Sequence, residues 1–212
     1  MRLRKKPWMA KALAEYVGKE IITDGVEEHK GKWSSLFDGK PLALEIGCGK
    51  GKFINGMAQL YPKIGFVGIE TQLDICYYPA YKVRENKLTN VKIIGGNAAY
   101  LTKWFAAGEV QMIYLNFSDP WPKARHSRRR LTYRDFLAQY KSILVPGGHL
   151  RFKTDNKDLF DFSVEEFKAF GLQIIALSYD LHNSEYENSI QTEYEEKFSA
   201  KGNKINFCEV VF

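Results

Sequence analysis

The order of apolar and polar residues in this 212-residue chain predicts an α/β fold, with a mostly parallel sheet of seven strands and helices on both faces. Three observations carry that expectation. From Leu42 onward, short apolar runs alternate with stretches of helical period. The first run ends in a glycine-rich turn at residues 47–51, where a strand hands over to a helix. The stretch LNFSDPWPKARHSRRRL at 115–131 begins as a buried strand and leaves it through one acid, two prolines and a dense basic run. Sheets of this kind bind ligands at the carboxyl ends of their strands.

Taken in order, residues 1–7 are basic and lack apolar period, which reads as an arm. Residues 8–17 have helical spacing, and 19–40 mix Gly, Asp and Lys around Trp33, Leu36 and Phe37, a partly structured lead-in. Strands are expected at 42–46, 65–70, 91–94, 112–117, 149–153, 173–179 and 205–211. Helices are expected at 53–60, 72–87, 133–144 and 157–170. Pro79 should break or kink the second of these, and Pro146 with Gly147 should stop the third. The whole chain, 1–212, reads as one domain with its arm (about 1–7) and lead-in (about 8–40).

A hydrophobic content of 45% and an aromatic content of 14% suffice for one main core, burying roughly 70% of the surface the unfolded chain exposes. The net charge of +6 is clustered, in Arg2, Arg4, Lys5 and Lys6 and again in 123–130, which favours a polyanionic partner. Cys48, Cys76 and Cys208 are odd in number and far apart, so they suggest neither a disulfide framework nor a zinc site. A reducing cytoplasm fits them. No signal peptide and no run of eighteen apolar residues is present, which argues against a membrane partner. His29, His126, His149 and His182 share no ligand spacing, so no metal is expected.

Chemistry concentrates at two places. The turn Glu45-Ile46-Gly47-Cys48-Gly49-Lys50-Gly51 lets a ligand approach the backbone, and Glu70 ends the next strand where an acid can bind ribose hydroxyls. Position 52 is Lys, so the nicotinamide fingerprint GxGxxG fails. Glu45 beside the turn would repel a pyrophosphate and suit a cationic cofactor without phosphate. S-adenosylmethionine, a sulfonium with a ribose and an ammonium group, meets both requirements. The second place is Asp119, held between the strand end and Pro120 on a stiffened turn, followed by Lys123, Arg125, His126, Arg128, Arg129 and Arg130 with no acid among them. An isolated Asp-Pro is commonly a turn cap, but the setting of Asp119 favours function.

With EIGCGKG at 45–51, LNFSDPWPKARH at 115–126, RRL at 129–131, FKTDN at 152–156 and TEYEEKF at 192–198, the chain resembles the bacterial tRNA (guanine-N7-)-methyltransferases over nearly its whole length. The resemblance implies a Rossmann-like class I S-adenosylmethionine-dependent methyltransferase that modifies N7 of guanine 46 in the tRNA variable loop. It implies Glu45, Gly47, Gly49, Glu70, Asn97 and Asp119 at the cofactor, with Asp119 also catalytic. Lys123, Asp155, Thr192 and Glu195 would meet the substrate, and Arg125, His126, Ser127, Arg128, Arg129 and Arg130 would touch RNA. The family usually carries an acid where this chain has Asn97, whose amide oxygen can still accept from an adenine amino group. The chain would act as monomer or homodimer.

Local readings stand beside these roles. Thr192 to Glu195 also fits a capping box opening a helix, and Asp155 with Asn156 also fits a helix start. A non-catalytic RNA-binding module is opposed by the glycine turn with Glu70. A small-molecule methyltransferase is opposed by the basic run, and a nicotinamide oxidoreductase by spacing and charge.

Overall fold

The computed structural model describes residues 7–186 and 190–212. Residues 1–6, most of the expected basic arm, lie outside the described residues, and Pro7 opens the first helix, α1 (Pro7–Ala14). Among the described residues, eight strands form one sheet: β1 (Ile21–Ile22), β2 (Leu42–Ile46), β3 (Gly65–Glu70), β4 (Val91–Gly95), β5 (Val110–Asn116), β6 (Leu144–Thr154), β7 (Gln173–Ser178) and β8 (Asn206–Val211). Their order is β1-β4-β3-β2-β5-β6-β8-β7, and only β8 runs against its neighbours. Chain order therefore reverses between β2 and β5, which opens a crevice beyond the strand ends.

Strand alternation sorts the two faces. Leu42, Leu44, Ile46, Val67, Ile69, Ile113, Leu115, Leu150 and Phe152 belong to one core, packed with Trp33, Phe37, Trp104, Leu137, Tyr140, Phe160 and Phe167. This side carries α4 (Leu101–Trp104), α5 (Arg134–Ile143) and α6 (Lys157–Ala169). Ala43, Phe66, Ile93 and Tyr114 belong to the other core, with Leu13, Phe53, Ile54, Met57, Ala80 and Val83. It is covered by α1, α2 (Lys52–Leu60) and α3 (Leu73–Glu85).

The expected sheet of seven strands has an eighth. β1 is two residues long and sits in the polar lead-in, too short to show a period, yet Ile21 and Ile22 pair in parallel with Ile93 and Ile94. The lead-in is otherwise tied down by Glu109, whose carboxylate accepts from the backbone N–H groups of Gly31, Trp33 and Ala106 at 2.7–2.9 Å. A short segment at 98–104, a 3-10 turn running into α4, was not expected either.

The expected break at Pro79 and the expected direct stop at Pro146 and Gly147 are corrected. α3 is not broken at Pro79: it continues through that residue, whose ring packs on Gly51 of the neighbouring turn while its carbonyl accepts from Asn55. Packing outweighs the local penalty here. Pro146 and Gly147 end α5 only indirectly, since α5 already stops at Ile143 and β6 takes in the whole of Leu144–Thr154. Val110 pairs with Leu144 but Met112 with His149, so the Pro-Gly-Gly stretch is a bulge inside the strand, where a missing N–H is tolerated.

Candidate functional site

The glycine turn leaves β2 through three residues of positive φ, Gly47 at 82°, Gly49 at 53° and Gly51 at 77°. Gly51 is required twice over: it sits at the N-cap of α2 in the left-handed region, and a Cβ there would lie 2.3 Å from Cβ of Pro79. The turn is fastened to the end of β3, because the N–H groups of Gly47 and Cys48 donate to the Ile69 carbonyl and that of Gly49 donates to Glu70 Oε2 at 3.2 Å. Glu70 Oε1 accepts from Gln72 N–H. The acid and the turn thus hold each other.

Glu45 lies on the α2 face of β2, opposite Tyr114 of β5 in register, and is buried. Its Oε1 accepts from Asn116 Nδ2 at 2.9 Å, while its Oε2 is buried without a hydrogen-bond partner among the described residues. Burial pushes its carboxyl up to about 8, against the Asn116 hydrogen bond and the charge of Lys153, which favour ionisation. A buried carboxyl oxygen left without a partner is costly unless a ligand supplies one.

From the end of β5 the chain forms a strap. Phe117 has φ 54° and Trp121 φ 43°, two non-glycine residues in the left-handed region flanking Asp119. Such residues cost about 1–3 kcal/mol each and persist only where surroundings hold them. The holders are visible. Phe117 N–H donates to the Lys153 carbonyl at 2.8 Å, and the Arg130 guanidinium donates to the carbonyls of Pro120 and Trp121 at 3.0 and 3.1 Å while lying over the Phe162 ring. Arg129 lies over the Trp121 ring at 4.8 Å, and His126 meets the same ring edge-on. Residues 124–129 form a 3-10 turn, with Ser127 accepting from the Arg130 N–H through its carbonyl.

Beyond the strand ends lies a cleft of two lobes. The larger, about 640 Å³, is bounded by Gly47, Glu70, Asn97, Ser118, Asp119, Trp121, Arg128 and Arg129. The smaller, about 310 Å³, is bounded by Glu45, Gly49, Lys50, Phe53, Thr192 and Tyr194. Gly47, Asn116 and Phe117 border both. These volumes suit small-molecule and cofactor sites. Ser118 Oγ, at the larger lobe, is a second buried polar atom without a partner among the described residues. Four acids line the two lobes, Glu45, Glu70, Asp119 and Glu193, the last paired with Lys82, and with two unsatisfied oxygens they fit a cationic ligand that also carries hydroxyl groups. Asn97 is exposed, and its amide oxygen caps the adjoining turn by accepting from Ala99 N–H at 2.9 Å.

The outer wall of the smaller lobe is α7 (Glu193–Ser199), clipped down by ion pairs of Lys52 with Glu196 and Lys82 with Glu193. Thr192 caps it, its Oγ1 accepting from Glu195 N–H at 2.9 Å, so the capping reading of that motif describes its geometry. Glu195 is fully buried: Lys153 Nζ lies 2.6 Å from one carboxylate oxygen, and His182 Nε2 lies 3.0 Å from the other. Burial lowers the Lys153 ammonium, and the Glu195 charge opposes that shift. Removing one partner of such a pair costs about 3–5 kcal/mol.

The fold therefore brings Glu45, Gly47, Gly49, Glu70, Asn97, Asp119, Thr192, Arg128 and Arg129 around one cleft. Lys123 and Arg125 are exposed outside its walls, Asp155 stands behind Tyr194, and Glu195 is turned into the protein. Sequence reasoning missed Asn116, Phe117, Ser118, Trp121 and Tyr194. A usable signal existed for Asn116, a polar residue ending a buried strand on the same face as Glu45.

Comparisons with known proteins agree with this geometry. A family described as "Putative methyltransferase" matches residues 39–208. A tRNA (guanine-N(7)-)-methyltransferase of Geobacillus sp. (strain WCH70) is 49% identical, with 100% of this chain and 96% of that protein aligned. One from Bacillus subtilis (strain 168) is 46% identical, covering 99% and 98%. Among solved structures, an antibiotic-related methyltransferase superposes with TM-score 0.63 at 17% identity, over 86% of this chain and 92% of that one. The 16S rRNA methyltransferase KamB gives TM-score 0.64 at 12% identity, over 86% and 93%. At those identities the structural likeness speaks for the fold alone, a class I methyltransferase sheet.

Proposed function

Because the chain belongs to the tRNA (guanine-N7-)-methyltransferase family, we propose that it transfers a methyl group from S-adenosylmethionine to N7 of guanine 46 in the tRNA variable loop. The observation that carries the reading is the acid-walled cleft in which Glu45 keeps one buried oxygen unpartnered beside the glycine turn. Bound there, S-adenosylmethionine supplies an electrophilic methyl on a sulfonium, which the in-plane lone pair of guanine N7 attacks without first losing a proton.

The chain's own residues have three tasks. Glu45 would offer its free oxygen to the cofactor's ammonium, and Glu70 at the end of β3 would hold the ribose hydroxyls. Gly47 and Gly49 let the ligand pass close to the backbone, and the amide group of Asn97 stands at the adenine end. Asp119, on a strap held by Arg130, would accept from the guanine N–H edge and stabilise the positive charge that the methylated purine carries. No strong general base is needed. Lys123 and Asp155 are proposed to flank the entering nucleotide. Arg125, His126, Ser127, Arg128 and Arg129 make up an RNA-facing turn, and Arg130 at its end holds the strap. A tRNA substrate and three buried, unbridged cysteines suit a reducing cytoplasm.

The basic residues divide by their neighbours. Arg128→Ala and Arg129→Ala should weaken tRNA binding and reduce the log-log salt slope by about 0.7 to 0.9 for each phosphate no longer neutralised. Arg130→Ala removes the guanidinium that pins Pro120 and Trp121. It should instead lower the methyl-transfer rate with little change in salt slope. Salt titrations of tRNA binding, set beside single-turnover rates, check this division.

The target atom is tested by placing 7-deazaguanosine at position 46. That base keeps shape and pairing edge but has carbon in place of N7, so the tRNA should bind as before and accept no methyl. Transfer undiminished on this tRNA would refute the assignment of position and atom together.

A further inference from the structure

Lys153 is a charged side chain, 5% exposed, that the methyl-transfer chemistry leaves without a task. Strand register places it. Glu45 of β2 is paired with Tyr114 of β5, and Asn116, two residues further on the same face, is paired with Lys153 of β6. Glu45, Asn116 and Lys153 therefore follow one another across three adjacent strands, beneath α2. Asn116 Nδ2 donates to Glu45 at 2.9 Å, and Asn116 borders a small inner cavity together with Lys153. Phe53 of α2 spans the two ends: its ring centroid lies 5.3 Å from Lys153 Nζ, and it also lines the smaller lobe beside Glu45. The ammonium itself is held in place by Glu195 at 2.6 Å, whose other oxygen meets His182 at 3.0 Å.

Burial pushes the Glu45 carboxyl up and the Lys153 ammonium down, and the charge of each opposes the shift of the other, with Glu195 the stronger support for Lys153. The other groups facing this row are neutral or already paired. Arg151 of β6 is bound by Glu209 of β8, which also meets His149, and Glu193 of α7 is bound by Lys82. Burial pushes the Tyr114 phenol up to about 12 and the Cys48 thiol well up, so both stay neutral, and α2 contributes Tyr61. Lys153 is thus the cation placed to favour the Glu45 carboxylate.

Resting on the reading that Glu45 receives the ammonium of S-adenosylmethionine, we propose that Lys153 is a positioning residue for that site, its fixed ammonium acting past Asn116 to keep Glu45 ready to give up a proton as the cofactor arrives. The proton leaves the Glu45 carboxyl for solvent, and the cofactor's cation takes its place beside the carboxylate. Such a counter-charge acts in opposite senses on the two sides of the titration. It favours the carboxylate where Glu45 would be protonated, and it repels the incoming cation where Glu45 is already ionised. Removing it should therefore extend the pH range over which affinity climbs, a signature that a merely structural role would not give.

The test counts protons released on binding S-adenosylmethionine at pH 8.5, by calorimetry in buffers of different ionisation heat. With its Glu45 carboxyl at about 8, the parent should release about a quarter of a proton there. Loss of a nearby opposite charge moves a carboxyl by about one pH unit or more, so Lys153→Met should release about three quarters, and its affinity should go on climbing to about pH 9. Because Lys153→Met strands Glu195 in the interior, Lys153→Met combined with Glu195→Gln replaces the pair by neutral groups, and it should give the same raised count. Lys153→Arg keeps the charge and should release as little as the parent. Parental release from both Met variants, or Met-like release from Lys153→Arg, would overturn the inference while leaving Glu45 at the ammonium site. Release that survives Glu45→Gln in the otherwise unchanged protein would remove Glu45 from that site, and the inference with it.

Discussion

Asp119→Asn is expected to lower the single-turnover rate of methyl transfer by about 10²-fold or more at saturating cofactor and tRNA, the scale of removing one electrostatic interaction from a preorganised site. The substitution keeps size and one acceptor and removes the charge. The strap around it should be unaffected, because Phe117, Trp121 and Arg130 hold their backbone positions without the Asp119 side chain. Cofactor affinity should fall much less. A variant that binds weakly but reaches the parental rate at saturation would show that Asp119 places ligands and does not stabilise the developing cation.

Glu45→Gln should weaken cofactor binding by about thirtyfold or more at pH 8.5, since losing one member of a buried charge pair costs about 2–5 kcal/mol. The pH dependence follows from the raised carboxyl. With its carboxyl at about 8 in the free protein, Glu45 is largely protonated at neutral pH. A cation at its free oxygen favours the carboxylate, so binding should release close to one proton at pH 7, and affinity should rise toward pH 8 and then level. For unliganded stability the sign is set by a folded value above the unfolded one. The contribution is full below the ordinary carboxylate range and is lost as pH rises through about 8. Calorimetry in buffers of different ionisation heat counts the proton directly. Glu45→Gln should abolish that release, and an unchanged proton count would remove Glu45 from the ammonium site.

How far the chain could be read beforehand depends on how local each cause is. Leu42 to Ile46 and Gly65 to Glu70 are buried on both faces and read as mostly apolar runs, each with one acid, so their strands stand out. Glu45 was conspicuous because it stands just before the glycine turn, where a carboxylate would repel a pyrophosphate. The Ile21–Ile22 strand was hidden, since two residues have no period and their partners Ile93 and Ile94 lie far along the chain. The close packing of α3 at Pro79 on the glycine turn requires Gly51, and no local rule connects those positions. Asp119 could be singled out from its prolines, but the two left-handed residues beside it could not. Phe117 and Trp121 are poor residues for that conformation, and what holds them there is Lys153 of another strand and Arg130 beyond the turn. For Thr192 and Glu195 the capping pattern was legible, while the inward turn of Glu195 needed Lys153 and His182 brought beside it.

Nucleoside analysis of tRNA after incubation with the protein and labelled S-adenosylmethionine tests the central claim most directly. The account predicts label in 7-methylguanosine, close to one per acceptor tRNA, with the initial rate of labelling reduced about 10²-fold by Asp119→Asn. Label in another nucleoside, or none in tRNA while the cofactor is bound, would contradict it.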